Sequence, residues 1–270
     1  MTSFERITLA SSVAFTGIGI HSGEESCVHM RPNNEGIVFL HNKSKIHADP
    51  EKVTDCTRST SLGDVRTIEH LMSALAGLGI TDAEIEVEGP EIPILDGSAR
   101  EFCRGLECAG TQPLGKRRSF FLSQEVWVQE GGREIRISPG DGVWRYAFVP
   151  GGRWSLVQEA VFHLSPEVYV QEVAPARTFV LAEEIEELKS AGLGLGGSEE
   201  NTLVLSKEGF LTPPRFPDEP ARHKLLDLIG DLALCGIPPW YLNVEARGSG
   251  HCLNVEAAKR LKSILIWEEG

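Results

Sequence analysis

The chain has 270 residues, 41% of them apolar and 24% charged; this is an ordinary soluble composition, long enough for one large or two medium domains without disulfide or metal staples. With 26 Lys+Arg against 39 Asp+Glu the formal net charge is −13, which excludes a general nucleic-acid binder because phosphate neutralisation needs a basic face, although a local basic spot for one phosphorylated small molecule is still allowed. No run approaches the roughly 18–20 apolar residues of a membrane helix, the N-terminus lacks a signal-peptide pattern, and the six cysteines (Cys27, Cys56, Cys103, Cys108, Cys235, Cys252) form no CxxC pair, so free thiols in a cytoplasmic protein are expected.

The first portion alternates short strand-like runs with turns, as in Glu35-Gly36 before IVFL and HNKS after it. A helix is predicted in RTIEHLMSALAGLG, where Ile68, Leu71, Met72, Leu75 and Leu78 recur at helical spacing, with Thr67 as N-cap and Gly77 or Gly79 as stop. AEIEVEG alternates as a half-buried strand, GPEIPILDGSA is rich in turns, and AREFCRGLECAG reads as a second short helix. The polar, basic stretch TQPLGKRRS at 111–119 is the expected linker. Beyond it REIRISPGDG, VWRYAFV and SLVQEAVFHL read as strands, and LAEEIEELKSAGLG as a helix with a glycine stop. ARHKLLDLIGDLALCG is the strongest helix, WYLNVEARGSGHCLN a strand entering a glycine-rich loop, and VEAAKRLKSILIW a closing amphipathic helix. Strands then helices, twice, predict an α+β fold of two similar-sized domains, 1–115 and 118–270, rather than a doubly wound sheet.

Five places carry candidate chemistry. His223, Asp227 and Asp231 are spaced i, i+4, i+8, and each step of four turns only about 40° around a helix, so they form one stripe. Leucines and Ile229 fill the rest of that helix, so the charged stripe is not a broad solvated face and needs a partner; a metal held by His223 and Asp227 is one answer, and an exposed i, i+4 pair is the other. Glu69-His70 can be a carboxylate base beside a metal ligand, or an acid favouring a helix N-terminus next to an ordinary histidine. His251, in GSGHCLN, is a natural general acid or base, or part of a plain turn. Thr178 can donate to an oxyanion or cap the following helix. His21, in TGIGIHSG, sits among glycines that lack nucleotide-loop spacing. Together they supply three N/O ligands with an open fourth position, a base, an acid and a hydroxyl, the parts of a mononuclear zinc hydrolase.

The segments TGIGIHSG, TIEHLMSALAGLGI, GPEIPILDGSA, ARTFVL, GLGLGGSEENTLVL, RHKLLDLIGDLALCG and GSGHCLN occur in this order. They resemble the UDP-3-O-acyl-N-acetylglucosamine deacetylases, zinc amidases of lipid A biosynthesis in Gram-negative bacteria, from about residue 6 to about residue 260. The resemblance implies two α+β domains, each a sheet layered on helices, with the active site between them. It implies Zn2+ on His70, His223 and Asp227, a set that Fe2+ also suits. Glu69 would be the general base, His251 the general acid oriented by Asp231, Thr178 a partner of the oxyanion, Lys224 a group facing the hexose or diphosphate, and Phe179 a platform beside the sugar. Ala182, Ile185, Gly194, Gly197, Ser198, Thr202 and Val204 match the family's acyl-chain passage, small or apolar as a lipid tunnel requires. Asp96 and His21 match further substrate-site positions, a turn-stabilising role being the other reading of Asp96. Many relatives carry lysine by the SGH tripeptide; here Gly248 and Ser249 stand there and Arg247 is the nearest base, hence the candidate for the diphosphate. Segment 150–163 matches the family poorly.

The expected reaction is hydrolysis of the N-acetyl group of a UDP-3-O-acyl sugar, the committed step of lipid A synthesis, by a cytoplasmic monomer with a nucleotide-sugar lipid substrate, no nucleic acid and no transmembrane segment. A catalytically silent nucleotide-sugar binder on the same fold, a deacetylase of another acylated sugar, and a non-haem iron oxygenase are the competing readings. Against the silent binder, every chemical position is intact. Against the oxygenase, Glu69 and His251 have no evident task there.

Overall fold

A computed structural model describes residues 1–150 and 157–269; the first two residues of the predicted strand SLVQEAVFHL lie outside them. Two five-stranded sheets carry the architecture. The first runs Val13–Ile18, Glu25–Arg31, Ala83–Glu88, Ile37–His41, Ser44–His47 in spatial order, and the second Val126–Glu130, Arg133–Pro139, Leu242–Arg247, Val143–Phe148, Gln158–His163. In both, the central pair is parallel and every other neighbour antiparallel. Alternation explains which face is buried: Ser26, Val28 and Met30 point inward from Glu25–Arg31 in the first sheet, and Trp144, Tyr146 and Phe148 from Val143–Phe148 in the second.

Each sheet sends its chain through one central helix before the fifth strand in sequence and one helix after it. In the first half these are α1 (Glu69–Gly77) and α2 (Arg100–Ala109). In the second half a single turn, α3 (Pro166–Val168), and α4 (Ile185–Ser190) precede the long α5 (Glu219–Ala233), and α6 (His251–Ile264) follows the last strand. α2 packs on the first sheet and against α1, α5 and α6 on the second, and α1 lies against α5. The mixed architecture is α+β, as the order of elements predicts.

Several local expectations are corrected. Thr67 is not an N-cap: it takes φ +58°, and its hydroxyl donates to the Glu91 carboxylate 2.7 Å away, so the helix starts at Glu69. Residues 111–119 are not a loose linker but the start of a 12-residue strand, Thr111–Leu122, clamped between Thr2–Leu9 and Leu265–Glu269; pairing of both its edges overrides its polar composition. The closing helix ends at Ile264 and LIWEE continues as a strand. Not all cysteines are free: the fold brings Cys56 and Cys252 to a Cα separation of 5.0 Å and they are disulfide-bonded, leaving Cys27, Cys103, Cys108 and Cys235 as thiols. A pairing across 196 residues of sequence leaves no spacing signal to read.

Candidate active site

The site grows from the crossing of α1 and α5. Gly230 sits at that crossing, where a Cβ would lie 2.0 Å from the Glu69 carbonyl oxygen, so only glycine lets the two backbones approach this closely. α5 is buried on nearly every side, and its polar stripe is buried with it: His223, Asp227 and Asp231 are each no more than 2% exposed. The i, i+4, i+8 stripe therefore faces α1 and the loops beside it, not solvent.

His70, His223 and Asp227 converge, each offering one ligand atom within 4.8 Å of the other two. His70 Nε2 is 3.5 Å and His223 Nε2 3.4 Å from Asp227 Oδ1. His223 Nδ1–H donates to the Ala176 carbonyl at 3.1 Å, which leaves the Nε2 lone pair directed at the cluster. Asp227 Oδ2 accepts from Lys224 Nζ at 2.8 Å, while Oδ1 is buried with no hydrogen-bond partner. Burial pushes the His223 pKa down to about 3, keeping the ring neutral. Burial works against the Asp227 charge, yet His223, Lys224 and His251 hold its pKa well below the usual carboxylate range. Two imidazoles and a carboxylate with an orphaned buried oxygen fit a divalent cation.

Around this cluster stand the acid–base groups. Burial raises the Glu69 pKa above the ordinary carboxylate value, against the opposing pull of His251 and His70. Its Oε2 accepts the Thr60 backbone N–H at 3.0 Å. His251 is the first residue of α6 rather than a loop residue. Burial disfavours its charge, but Asp231, Asp227 and Glu69 outweigh burial and push its pKa up to about 9. Its Nδ1–H donates to Asp231 Oδ2 at 3.1 Å, and Asn254 donates to the same oxygen at 2.9 Å. Thr178 does not cap a helix; its N–H donates to the Gly97 carbonyl at 2.7 Å and its own carbonyl accepts from Leu203. The preceding Arg177 is buried and paired to Glu219 on the first turn of α5, at 3.0 Å, which anchors the segment carrying Thr178.

A cavity of about 1150 Å³ joins these groups. Glu69, His70, Thr178, Lys224, His223, Asp227 and His251 line it, as do Phe179, His21, Ala182, Ile185, Gly194, Gly197, Ser198, Thr202 and Val204. Leu181, Leu188, Leu193 and Leu211 add an apolar wall at the end formed by α4 and its flanks. Phe179 packs edge-on to Phe148, with Lys224 Nζ 5.4 Å from its ring centre. His21 is presented by a loop whose backbone and Ser22 donate to the buried Glu91.

Three expected site residues do not reach the cavity. Asp231 stands behind His251, accepting from its Nδ1. Arg247 does not line it; the strand Leu242–Arg247 alternates, and Arg247 falls on the exposed face. Asp96 stays in its turn, accepting from Ser98 and paired with Arg100 and Arg215. Among the described residues, the Lys and Arg side chains that line the cavity are Arg58, Arg133, Lys189 and Lys224. The first two were missed because nothing in their surrounding sequence marks them; they arrive on a loop at φ +69° and at the edge of a Gly131-Gly132 turn.

The sequence profile of the UDP-3-O-acyl N-acetylglycosamine deacetylase family matches residues 6–263. Among curated proteins, the UDP-3-O-acyl-N-acetylglucosamine deacetylase of Anaeromyxobacter dehalogenans is 40% identical over 275 residues, covering 97% of this chain and 88% of its own. That of Nostoc sp. is 36% identical, covering 95% and 98%, and that of Acidithiobacillus ferrooxidans 38%, covering 92% and 86%. Similarity that runs through both sheets and all the helices of the site cannot come from one shared module, and this chain belongs to the UDP-3-O-acyl N-acetylglycosamine deacetylase family.

Proposed function

We propose that this deacetylase of lipid A biosynthesis is a zinc amidase that removes the N-acetyl group of a UDP-3-O-(3-hydroxyacyl)-N-acetylglucosamine, releasing acetate and the free amine. The observation that carries the metal is the unpartnered, buried Asp227 Oδ1 between two imidazole Nε2 atoms. His70, His223 and Asp227 would hold a divalent cation, which when bound would supply polarisation of an amide carbonyl and a lowered pKa for adjacent water. Glu69, its pKa raised by burial, takes the proton from the attacking water. His251 enters protonated at neutral pH and gives its proton to the leaving nitrogen, so the sugar departs as a neutral amine. Thr178 holds the developing oxyanion, Lys224 keeps Asp227 turned toward its partners, and Phe179 packs beside the hexose.

The apolar end of the cavity takes the acyl chain, from Ala182 and Ile185 to Gly194, Gly197, Ser198, Thr202 and Val204. Arg58 and Arg133 replace Arg247 as the groups for the diphosphate, because they line the cavity. In this reading the halves are 1–115 and 118–270; the like topology of the two sheets on either side of the long strand Thr111–Leu122 supports it. One chain supplies every residue assigned, which supports a monomer; among the described residues no helix is long and apolar enough to cross a membrane, and a cytoplasmic location is part of the same reading.

Acetate release from UDP-3-O-acyl-N-acetylglucosamine, before and after chelation and beside Asp227→Ala, tests the reaction. Turnover that chelation abolishes, zinc restores and Asp227→Ala lacks is the expected result. A folded, zinc-loaded protein that releases no acetate overturns the substrate assignment, and turnover that survives chelation overturns the metal.

A further inference from the structure

Thr60 is fully buried in the loop between the strands Val53–Asp55 and Ser61–Leu62. All of its polar groups are turned to the site. Its N–H donates to Glu69 Oε2 at 3.0 Å, its carbonyl accepts the Ile68 N–H at 3.1 Å one residue before that base, and its hydroxyl lies 2.5 Å from Asp231 Oδ1 and 3.3 Å from His251 Nδ1. The single hydroxyl proton goes to Asp231 Oδ1, the nearer of its two partners. Toward His251 the hydroxyl then offers a lone pair. The Nδ1 edge thus meets two acceptors, Thr60 Oγ1 and Asp231 Oδ2, which fixes the proton on Nδ1 and turns Nε2 to the reacting centre. Four residues upstream, the Cys56–Cys252 disulfide ties the same loop to the residue after His251.

We infer that Thr60 is a positioning residue for this reaction: one side chain in the first half of the molecule that sets the Asp231–His251 pair of the second half, while its backbone holds the base Glu69. The inference rests on the proposed roles of Glu69, Asp231 and His251. Without the hydroxyl, Asp231 Oδ1 loses the donor that Thr60 supplies, and the carboxylate that orients the imidazole is held through Oδ2 alone.

The test is a set of variants assayed for acetate release, with metal content measured on each. Thr60→Val keeps the shape and removes the hydroxyl; kcat is expected to fall roughly ten- to a hundred-fold, with KM within about two-fold and metal content unchanged. Thr60→Ser, which keeps the hydroxyl, is expected within about three-fold of the parent in kcat. Because Thr60 acts through Asp231, adding Thr60→Val to Asp231→Asn is expected to lower kcat by less than about two-fold further. Should Thr60→Val not fold, Thr60→Ala removes the same hydroxyl from a smaller side chain and enters the same comparisons. A serine variant as poor as the valine one, a loss carried by KM, or losses that multiply with Asp231→Asn overturns the role. A fully active Asp231→Asn overturns the reading of the site itself; an impaired Asp231→Asn beside a fully active Thr60→Val overturns only the role of Thr60.

Discussion

Glu69 and His251 are both buried, and burial drives a carboxyl and an imidazole toward their neutral forms. For Glu69 burial prevails, so its pKa rises; for His251 three carboxylates prevail, so its pKa rises too, to about 9. In the proposed reaction the working state has Glu69 deprotonated and His251 protonated. Activity must therefore grow as pH passes the raised Glu69 value and fall as pH passes about 9. We expect a bell-shaped kcat/KM profile with its alkaline limb near that pH, and loss of that limb in His251→Gln. Glu69→Gln and His251→Gln are expected to keep the metal and lose roughly 10²–10⁴ in kcat. An alkaline limb that persists in His251→Gln assigns it to another group, and a variant that loses its metal overturns the role given to that residue.

The two helices that carry these groups meet because a glycine stands where they cross. In Gly230→Ala a Cβ would sit 2.0 Å from the Glu69 carbonyl oxygen, a backbone atom with no freedom to yield. The helices must then separate, at an overpacking cost of about 1–3 kcal/mol, and the ligands on α1 move away from those on α5. The expected outcome is a lower melting temperature together with weaker metal retention in dialysis against a chelator; a variant with parental metal affinity shows that the crossing is not what sets the cluster. Half of this arrangement is legible in the sequence. Helical spacing on an otherwise apolar helix puts His223, Asp227 and Asp231 on one stripe, with a buried partner or an exposed pair as the two readings, and the burial of all three decides for the first. The other half is not, because no local pattern says that α1, some 150 residues earlier, lies across it. Thr67 shows the same limit in miniature: a threonine before a helix predicts a cap, yet its hydroxyl goes to Glu91, a long-range partner that local propensity cannot weigh.

At the scale of the whole molecule, the two sheets have one strand order and one pattern of directions, and each places its loop insertions just before its central helix. The insertion in the first half supplies Cys56, Arg58 and Thr60; that in the second supplies Thr178, Phe179 and the apolar wall of the cavity. Composition and element order make the α+β class readable, but the likeness of the halves is one of topology without a repeated motif, so it surfaces only in three dimensions. The same is true of the disulfide. Cys56 belongs to the first insertion and Cys252 to the first turn of α6, and the bond between them ties the two halves together at the rim of the cavity. Such a link constrains the unfolded chain, typically by about 2–4 kcal/mol, with long loops at the upper end. Protein unfolded without reductant should show four free thiols, and six after reduction. Its reduced form should melt at lower temperature, and Cys56→Ser should melt at the same temperature with or without reductant. Six thiols from protein never exposed to reductant overturn the pairing. A reductant-dependent drop that persists in Cys56→Ser assigns the effect to other cysteines.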